Sequence, residues 1–182
     1  YMDTIGDKED IVLQIRTHLE RYRKDIDAGN VRVVKIYNSG SIFNLEELPL
    51  RSNIETFFET ITQYKDIEEV VIETRPEYVS EDMIDILGQI FDEGTRVKVA
   101  FGLETSNDFI RANIVNKGAD LKDYERAFKI IHSSQYNNIK IKIYLLLKPP
   151  FLTEWESIED TLSSIEYSDR WAEDISINSL NV

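Results

Sequence analysis

The sequence has no cysteine among its 182 residues. That absence removes a disulfide framework, a thiol nucleophile and any cysteine-ligated iron–sulfur cluster held by this chain itself. Proline and glycine are sparse, at 4 and 7 residues, and no stretch rich in Pro, Gly or Ser interrupts the chain. Neither an internal linker nor a low-complexity segment is therefore expected, and residues 1–182 read as a single core unit. No apolar run approaches the roughly 20 residues that span a bilayer, and Tyr1-Met2-Asp3-Thr4 lacks the basic-then-apolar pattern of a secretory signal. A soluble cytoplasmic chain with no membrane partner is expected. Positive charge is also short: 21 Lys and Arg against 34 Asp and Glu leave a formal charge of −13. Such a surface repels phosphate backbones, while leaving room for a local basic site or a basic partner. The 2 histidines, His18 and His132, fall in separate helical stretches without metal spacing, so they read as surface positions and no metal site is expected from this chain.

What is present is a regular alternation. Val- and Ile-rich runs at 31–37, 70–74, 97–103, 139–147 and 175–180 read as strands. Between them lie helical stretches at 10–28, closed by Gly29-Asn30, at 53–64, from Ser80 to the stop at Gly94, at 120–133 and at 153–168. Ser80 followed by Glu81 and Asp82 reads as an N-cap with an acidic first turn, and Thr153 with Glu156 as a capping box. Parallel strands joined by right-handed crossovers give a doubly wound sheet or part of a barrel. The chain opens on a helix, whereas such a fold opens on a strand. The first strand and its loop are therefore expected upstream of Tyr1, and a Tyr rather than a Met at the start fits a fragment.

The two faces of the strands decide between the architectures. Along 139–147 the odd positions are all apolar, while Lys140, Lys142, Tyr144 and Leu146 alternate with them and Lys148 follows. Along 97–103, Val97, Val99, Phe101 and Leu103 oppose Lys98, Ala100, Gly102 and Glu104. A sheet covered on both sides would bury these lysines at large cost, whereas a barrel with a wet lumen tolerates them. A solvated edge strand explains one strand but not both. The expectation is an α/β partial (β/α) barrel, with Lys98, Glu104, Lys140 and Lys142 pointing to one concave face. Polar segments follow the strands: Asn38-Ser39-Gly40-Ser41, Glu73-Thr74-Arg75-Pro76-Glu77, Glu104-Thr105-Ser106-Asn107 and Lys148-Pro149-Pro150. In βα barrels this rim is where ligands sit. Asn38 to Ser41 can offer backbone N–H groups to an anion or form an ordinary turn; Glu73 and Arg75 can pair with each other or face a ligand. Trp155 and Trp171, on either side of the last helix, read as packing residues.

Taken together, several segments resemble the radical S-adenosylmethionine (SAM) enzymes, and among them the archaeosine-biosynthesis radical SAM proteins (RaSEA). They are Val34 to Ser41, Val71-Ile72-Glu73-Thr74-Arg75-Pro76-Glu77-Tyr78, Gly102-Leu103-Glu104-Thr105-Ser106-Asn107-Asp108, Asn116-Lys117-Gly118 and Tyr144 to Glu154. Glu-Thr-Arg-Pro and Gly-Leu-Glu-Thr occur across the superfamily; Asn-Ser-Gly-Ser with Leu-Leu-Lys-Pro-Pro-Phe points to the narrower group. The resemblance implies a TIM-like barrel of radical SAM type without its first strand and cluster loop, running from the helix after that loop through the sixth strand. It implies SAM and a 4Fe-4S cluster as cofactors of a full-length enzyme. The C-x-x-x-C-x-x-C ligands are absent here, so this fragment alone is expected to bind no cluster and to be inactive. For SAM the resemblance implies Asn38, Ser39, Gly40, Glu73, Arg75, Glu104 and Thr105. Gly40 stands where many members carry an acid, which leaves backbone or hydroxyl contacts there. Lys140, Lys142 and Lys148 are candidates for a substrate phosphate or carboxylate, or are solvated charges. The implied activity is radical cleavage of a lysine adduct on a deazaguanine in tRNA, with tRNA as substrate and archaeosine synthase as partner. Two alternatives stand beside it: another radical SAM tRNA-modifying enzyme, and a cluster-less, non-catalytic binding module.

Overall fold

A computed structural model describes residues 9–37, 41–44 and 51–179. The elements run α1 (Glu9–Arg21), α2 (Arg23–Asp27), β1 (Val33–Ile36), α3 (Arg51–Thr62), β2 (Glu69–Glu73), α4 (Glu81–Ile90), β3 (Arg96–Glu104), α5 (Asp108–Asn113), α6 (Leu121–His132), β4 (Ile139–Leu147), α7 (Glu154–Ser168) and β5 (Asp174–Ser179). The strands form one sheet in chain order, every pair parallel, which is what successive βα units of one hand produce. The sheet curls into a half barrel with helices on its outer face, so the α/β partial-barrel reading holds. Among the described residues no helix is long and apolar enough to cross a membrane.

The core lies between sheet and helices. Val70 and Ile72 of β2, Val97, Val99, Phe101 and Leu103 of β3, and Ile139, Ile141, Ile143 and Leu145 of β4 are buried there. They meet Ile54, Phe57, Phe58 and Ile61 of α3, Met83, Ile84, Ile86 and Leu87 of α4, and Tyr124, Ala127, Phe128 and Ile131 of α6 in one cluster. Caps fix where these helices begin. The Ser80 side chain accepts from the Met83 amide, and Asp120 with Asp123, like Thr153 with Glu156, closes a capping box. The long first helix expected over 10–28 breaks at Tyr22, where Arg23 turns back to bond Glu20 and lie over the Tyr64 ring. The helix after Ser80 stops at Ile90 rather than reaching Gly94, because buried Phe91 leaves it in extended conformation. The last strand is described only to Ser179, since Leu180 lies outside the described residues.

Helix α7 packs in an unexpected sense. Its buried positions are Ser157, Thr161, Ser164 and Ser168, while Trp155, Ile158 and Leu162 face outward. Trp155 is 68% exposed, which corrects its assignment to packing; Trp171 does pack, against Phe128 and His132. Small hydroxyl residues let the helix approach the loop after β3 and hydrogen-bond to it, as described below. Both histidines are exposed, as expected.

Candidate functional site

Register sets the concave face. Lys98 of β3 lies opposite Lys140 of β4, Ala100 opposite Lys142, Gly102 opposite Tyr144, and Lys142 opposite Asp174 of β5. The lysines do share one face, but Lys98 and Lys142 are only 8% and 7% exposed. Their charges are met by carboxylates rather than by a wet lumen. Asp174 Oδ2 accepts from Lys98 Nζ at 3.0 Å and from Lys142 Nζ at 2.6 Å, while Lys98 also reaches Glu69 at 3.0 Å and Lys142 reaches Ser176 at 2.8 Å. Burial works against the charge of Lys98 and of Asp174, yet the bonds of Lys98 to Glu69 and Asp174, and of Asp174 to Lys142 and Lys98, outweigh it, raising the lysine and lowering the aspartate. This cluster closes the floor of the half barrel. A concavity of about 720 Å³ opens at the N-terminal ends of the strands beside Lys140, but its Arg96, Glu69 and Glu173 are engaged in ion pairs with one another.

The C-terminal rim is different. A cleft of about 310 Å³ is lined by Glu73, Thr74, Arg75, Pro76, Gly102, Lys117 and Tyr124 among others. Glu73 ends β2 half-buried; burial raises its carboxyl above the ordinary range, nearby Lys117 opposes this and nearby Glu104 adds to it. Arg75 pairs with Glu77 at 2.5 Å rather than with Glu73, since the extended Arg75 and the 3₁₀ turn Pro76–Tyr78 carry it past the strand. Thr74 is buried and its hydroxyl shares a hydrogen bond with Ser41, tying the ends of the first two βα units together.

Glu104 sits at a register shift between β3 and β4, with a left-handed φ of 66°. A bulge that holds a non-glycine residue at positive φ re-aims its side chain at a cost, a feature concentrated at functional rims. Its Oε1 accepts from Lys117 Nζ at 2.6 Å, and the same ammonium donates to the Gly102 carbonyl at 2.6 Å. A Cβ on Gly102 would collide with Lys117 Nζ, so glycine is what allows the lysine to cross the strand. Opposite, the Tyr144 hydroxyl bonds Tyr37 at 2.9 Å; burial first, then this bond, raises the Tyr144 phenol. Lys142 Nζ lies 5.2 Å from the Tyr144 ring centroid.

Thr105 does not face the cleft. It is fully buried and its Oγ1 donates to Asp160 of α7 at 2.7 Å, while the Ser106 amide donates to Ser164 at 2.8 Å. Lys148 leaves β4 with φ of 61° and pairs with Glu154 at the start of α7, away from Lys140 and Lys142. Asn38, Ser39 and Gly40 lie outside the described residues. Two residues of the site carried no role in the sequence reading. Lys117 belonged only to the Asn-Lys-Gly segment, and Arg111 sat in a helix too short to show periodicity. The Asn107 cap, which accepts from the Phe109 and Ile110 amides, was its one local signal. The sequence has no cysteine, and no group of three or more His, Asp or Glu side chains placed to hold a metal ion occurs among the described residues.

Asp160 offers a test of the loop's attachment. Burial raises its carboxyl, the Thr105 bond opposes that, and Oδ2 is buried without a partner among the described residues. A folded-state value above the unfolded one contributes stability that is full below the ordinary carboxylate range and lost as pH rises through the raised value. Asp160→Asn is therefore expected to melt higher than the parent at neutral pH, with the difference closing toward about pH 4. Thermal melts at both pH values check this; a lower neutral melting temperature would mean that the ionised carboxylate is satisfied.

Comparison with known proteins follows the same lines. No family model matches the chain. It is 35% identical over 150 residues to archaeosine synthase subunit beta of Methanosarcina acetivorans, which covers 82% of this chain and 42% of that protein. With archaeosine synthase subunit beta of Thermococcus kodakarensis it shares 35% identity over 145 residues, 80% of this chain and 43% of the relative. An uncharacterized protein of Methanocaldococcus jannaschii is 34% identical over 166 residues, 90% and 44%. The chain thus spans less than half the length of the curated relatives it matches. Among solved structures, Elp3 of Methanocaldococcus infernus aligns with a TM-score of 0.64 at 18% identity, covering 93% of this chain and 42% of that one. The radical SAM enzyme coproporphyrinogen III oxidase (HemN) of Escherichia coli aligns at 0.58 and 14%, covering 91% and 38%. These structures share the fold.

Proposed function

We propose, from the premise that this chain is a homologue of archaeosine synthase subunit beta with the fold of radical SAM enzymes, that it is the SAM-binding part of a longer tRNA-modifying enzyme. The observation that supports the reading is the rim cleft: Glu73 and Arg75, named from the sequence, line one concavity with Gly102 and Lys117, and Lys117 ties Glu104 to it through a bond of 2.6 Å. Carboxylates at this rim suit the ammonium and ribose hydroxyls of SAM, and Arg75, half-exposed beside Glu77, suits its carboxylate. The backbone around Asn38, Ser39 and Gly40 is proposed as a further SAM contact, with Thr105 acting through the loop it anchors. Lys140, Lys142 and Lys148 are proposed to meet substrate anions, Lys142 only at the expense of its bond to Asp174. When bound in the longer protein, SAM and a 4Fe-4S cluster would supply the radical, the cluster ligands coming from cysteines outside this sequence. The chain's own residues bind, orient and shield. The proposed substrate is a lysine adduct on a deazaguanine of tRNA, handled together with another archaeosine synthase subunit.

The test begins with the reading frame around the chain. A cysteine triplet upstream of Tyr1, and 5′-deoxyadenosine formed from SAM by the reconstituted full-length protein, are the expected results. An initiator Met directly before Tyr1, or no SAM cleavage by the full-length protein, would favour a non-catalytic module. Cleavage without turnover of the adduct-bearing tRNA would keep the enzyme class and reject the substrate.

A further inference from the structure

Helix α7 is amphipathic in the reverse sense. Its small hydroxyl face is locked inward: Thr105 donates to Asp160 at 2.7 Å, the Ser106 amide donates to Ser164 at 2.8 Å, and the Ser157 and Thr161 hydroxyls donate to backbone carbonyls one turn back at 2.8 Å. Rolling the helix to bury its apolar side would break the first two bonds and leave polar groups of the loop after β3 unpaired. Trp155, Ile158 and Leu162 therefore stay outside, at the i, i+3, i+7 spacing of one helical stripe. Phe151, in the loop that leads to the Thr153 cap, is 94% exposed at a left-handed φ of 68°. At that exposure its ring contributes almost nothing to the packing of the fold.

The borders of this stripe carry one sign of charge. Glu154, Glu156, Glu159, Glu166 and Asp169 are exposed along and just after α7, and no lysine or arginine occurs from Pro149 to Asp169. Lys148, immediately before, is engaged by Glu154. Apolar surface flanked by carboxylates repels phosphate, whether of a nucleic acid or of an anionic bilayer. Two copies meeting through this face would set acid against acid. The complementary surface is a helix that is apolar along one side and bordered by cations, a mode in which a few apolar anchors carry the affinity. We propose that the outer face of α7 docks another polypeptide through an amphipathic helix bordered by lysine and arginine, with Trp155 and Leu162 as anchors. None of these described residues lines the rim cleft, so docking here and SAM binding there are separate properties.

The experiment uses the full-length protein. Hydroxyl-radical footprinting, read by mass spectrometry at Trp155 and Leu162, is expected to oxidise both freely at every protein concentration. Protection at all concentrations would show the longer chain covering its own helix, and protection that grows with concentration would show a second copy; either overturns the proposal. Binding is measured by fluorescence anisotropy with two labelled synthetic helices of about 20 residues, which share one leucine stripe and are bordered by lysine in one and by glutamate in the other. The lysine-bordered helix is expected to bind about tenfold tighter than the other, and Trp155→Ser or Leu162→Ser to weaken it about tenfold. Both positions are exposed, so these variants keep the fold. Glu159→Lys combined with Glu166→Lys is expected to reverse the preference between the two helices. Binding of neither helix overturns the proposal, and so does equal binding of the lysine-bordered helix by the parent and both serine variants, which would reduce the effect to general attraction by an acidic protein. Binding to a tRNA transcript or to vesicles of anionic phospholipid that is lost in Trp155→Ser would give the face to that ligand and overturn it as well.

Discussion

Replacing Arg111 with methionine is expected to remove about 2–4 kcal/mol of stability, a large share of the roughly 5–15 kcal/mol that a domain holds. The guanidinium is 0% exposed in the fold. Its Nε donates to the Ala119 carbonyl at 2.9 Å, one terminal nitrogen donates to the Thr105 carbonyl at 2.7 Å, and the other meets the Asp108 carboxylate. Tyr124 packs its ring 5.3 Å from the same group. One side chain therefore ties both ends of the loop that carries Lys117 to each other and to α6. Methionine fills much of the volume and leaves the buried Thr105 carbonyl and the partly buried Ala119 carbonyl without their donors, the buried one at a cost of about 1–3 kcal/mol. Lysine brings a single charged centre where three directions are needed, so Arg111→Lys is expected to recover little. Urea denaturation followed by far-UV circular dichroism checks both variants. A loss below about 1 kcal/mol in Arg111→Met would show that water replaces the guanidinium without strain.

The sequence made the alternation of strands and helices legible because the strands are rich in Val and Ile, in runs or at alternate positions, and two of the helices announce their caps. The capping box at Thr153 and the cap at Ser80 form as read, and Asp120 with Asp123 closes a second box at a position the sequence reading had only as a helix start. The concave face was legible from the period of two, but not its chemistry. Asp174 lies 76 residues beyond Lys98, and no local pattern could show that it meets two lysines. Helix α7 resisted for another reason: its inward face is made of serine and threonine, which a search for an apolar stripe reads as solvent-facing. At the rim, Glu73, Arg75 and Glu104 were visible as polar residues ending strands. What remained hidden was conformational. A left-handed turn at Asn116 is permitted by its sequence but not demanded by it, and only that turn brings Lys117 to Glu104.

Glu104→Ala in the full-length protein is expected to weaken SAM binding by about 1.5–3 kcal/mol, roughly ten- to a hundredfold, because a charge-assisted acceptor is lost from the rim. Glu104→Gln should fall between, since the amide oxygen still accepts but carries no charge. Alanine keeps a Cβ at a φ of 66° and so keeps the backbone strain while losing the carboxylate. Glycine releases that strain, which is of order 1 kcal/mol at such positions. The pair of variants therefore separates ligand binding from fold stability. Glu104→Gly is expected to melt above Glu104→Ala while both bind SAM equally poorly, and a SAM titration beside melting curves reads the two effects. Affinity unchanged in a folded Glu104→Ala protein would reject the ligand role. Unfolding of both variants would instead make the Glu104–Lys117 pair a structural clamp on the loop between Asn107 and Asp120.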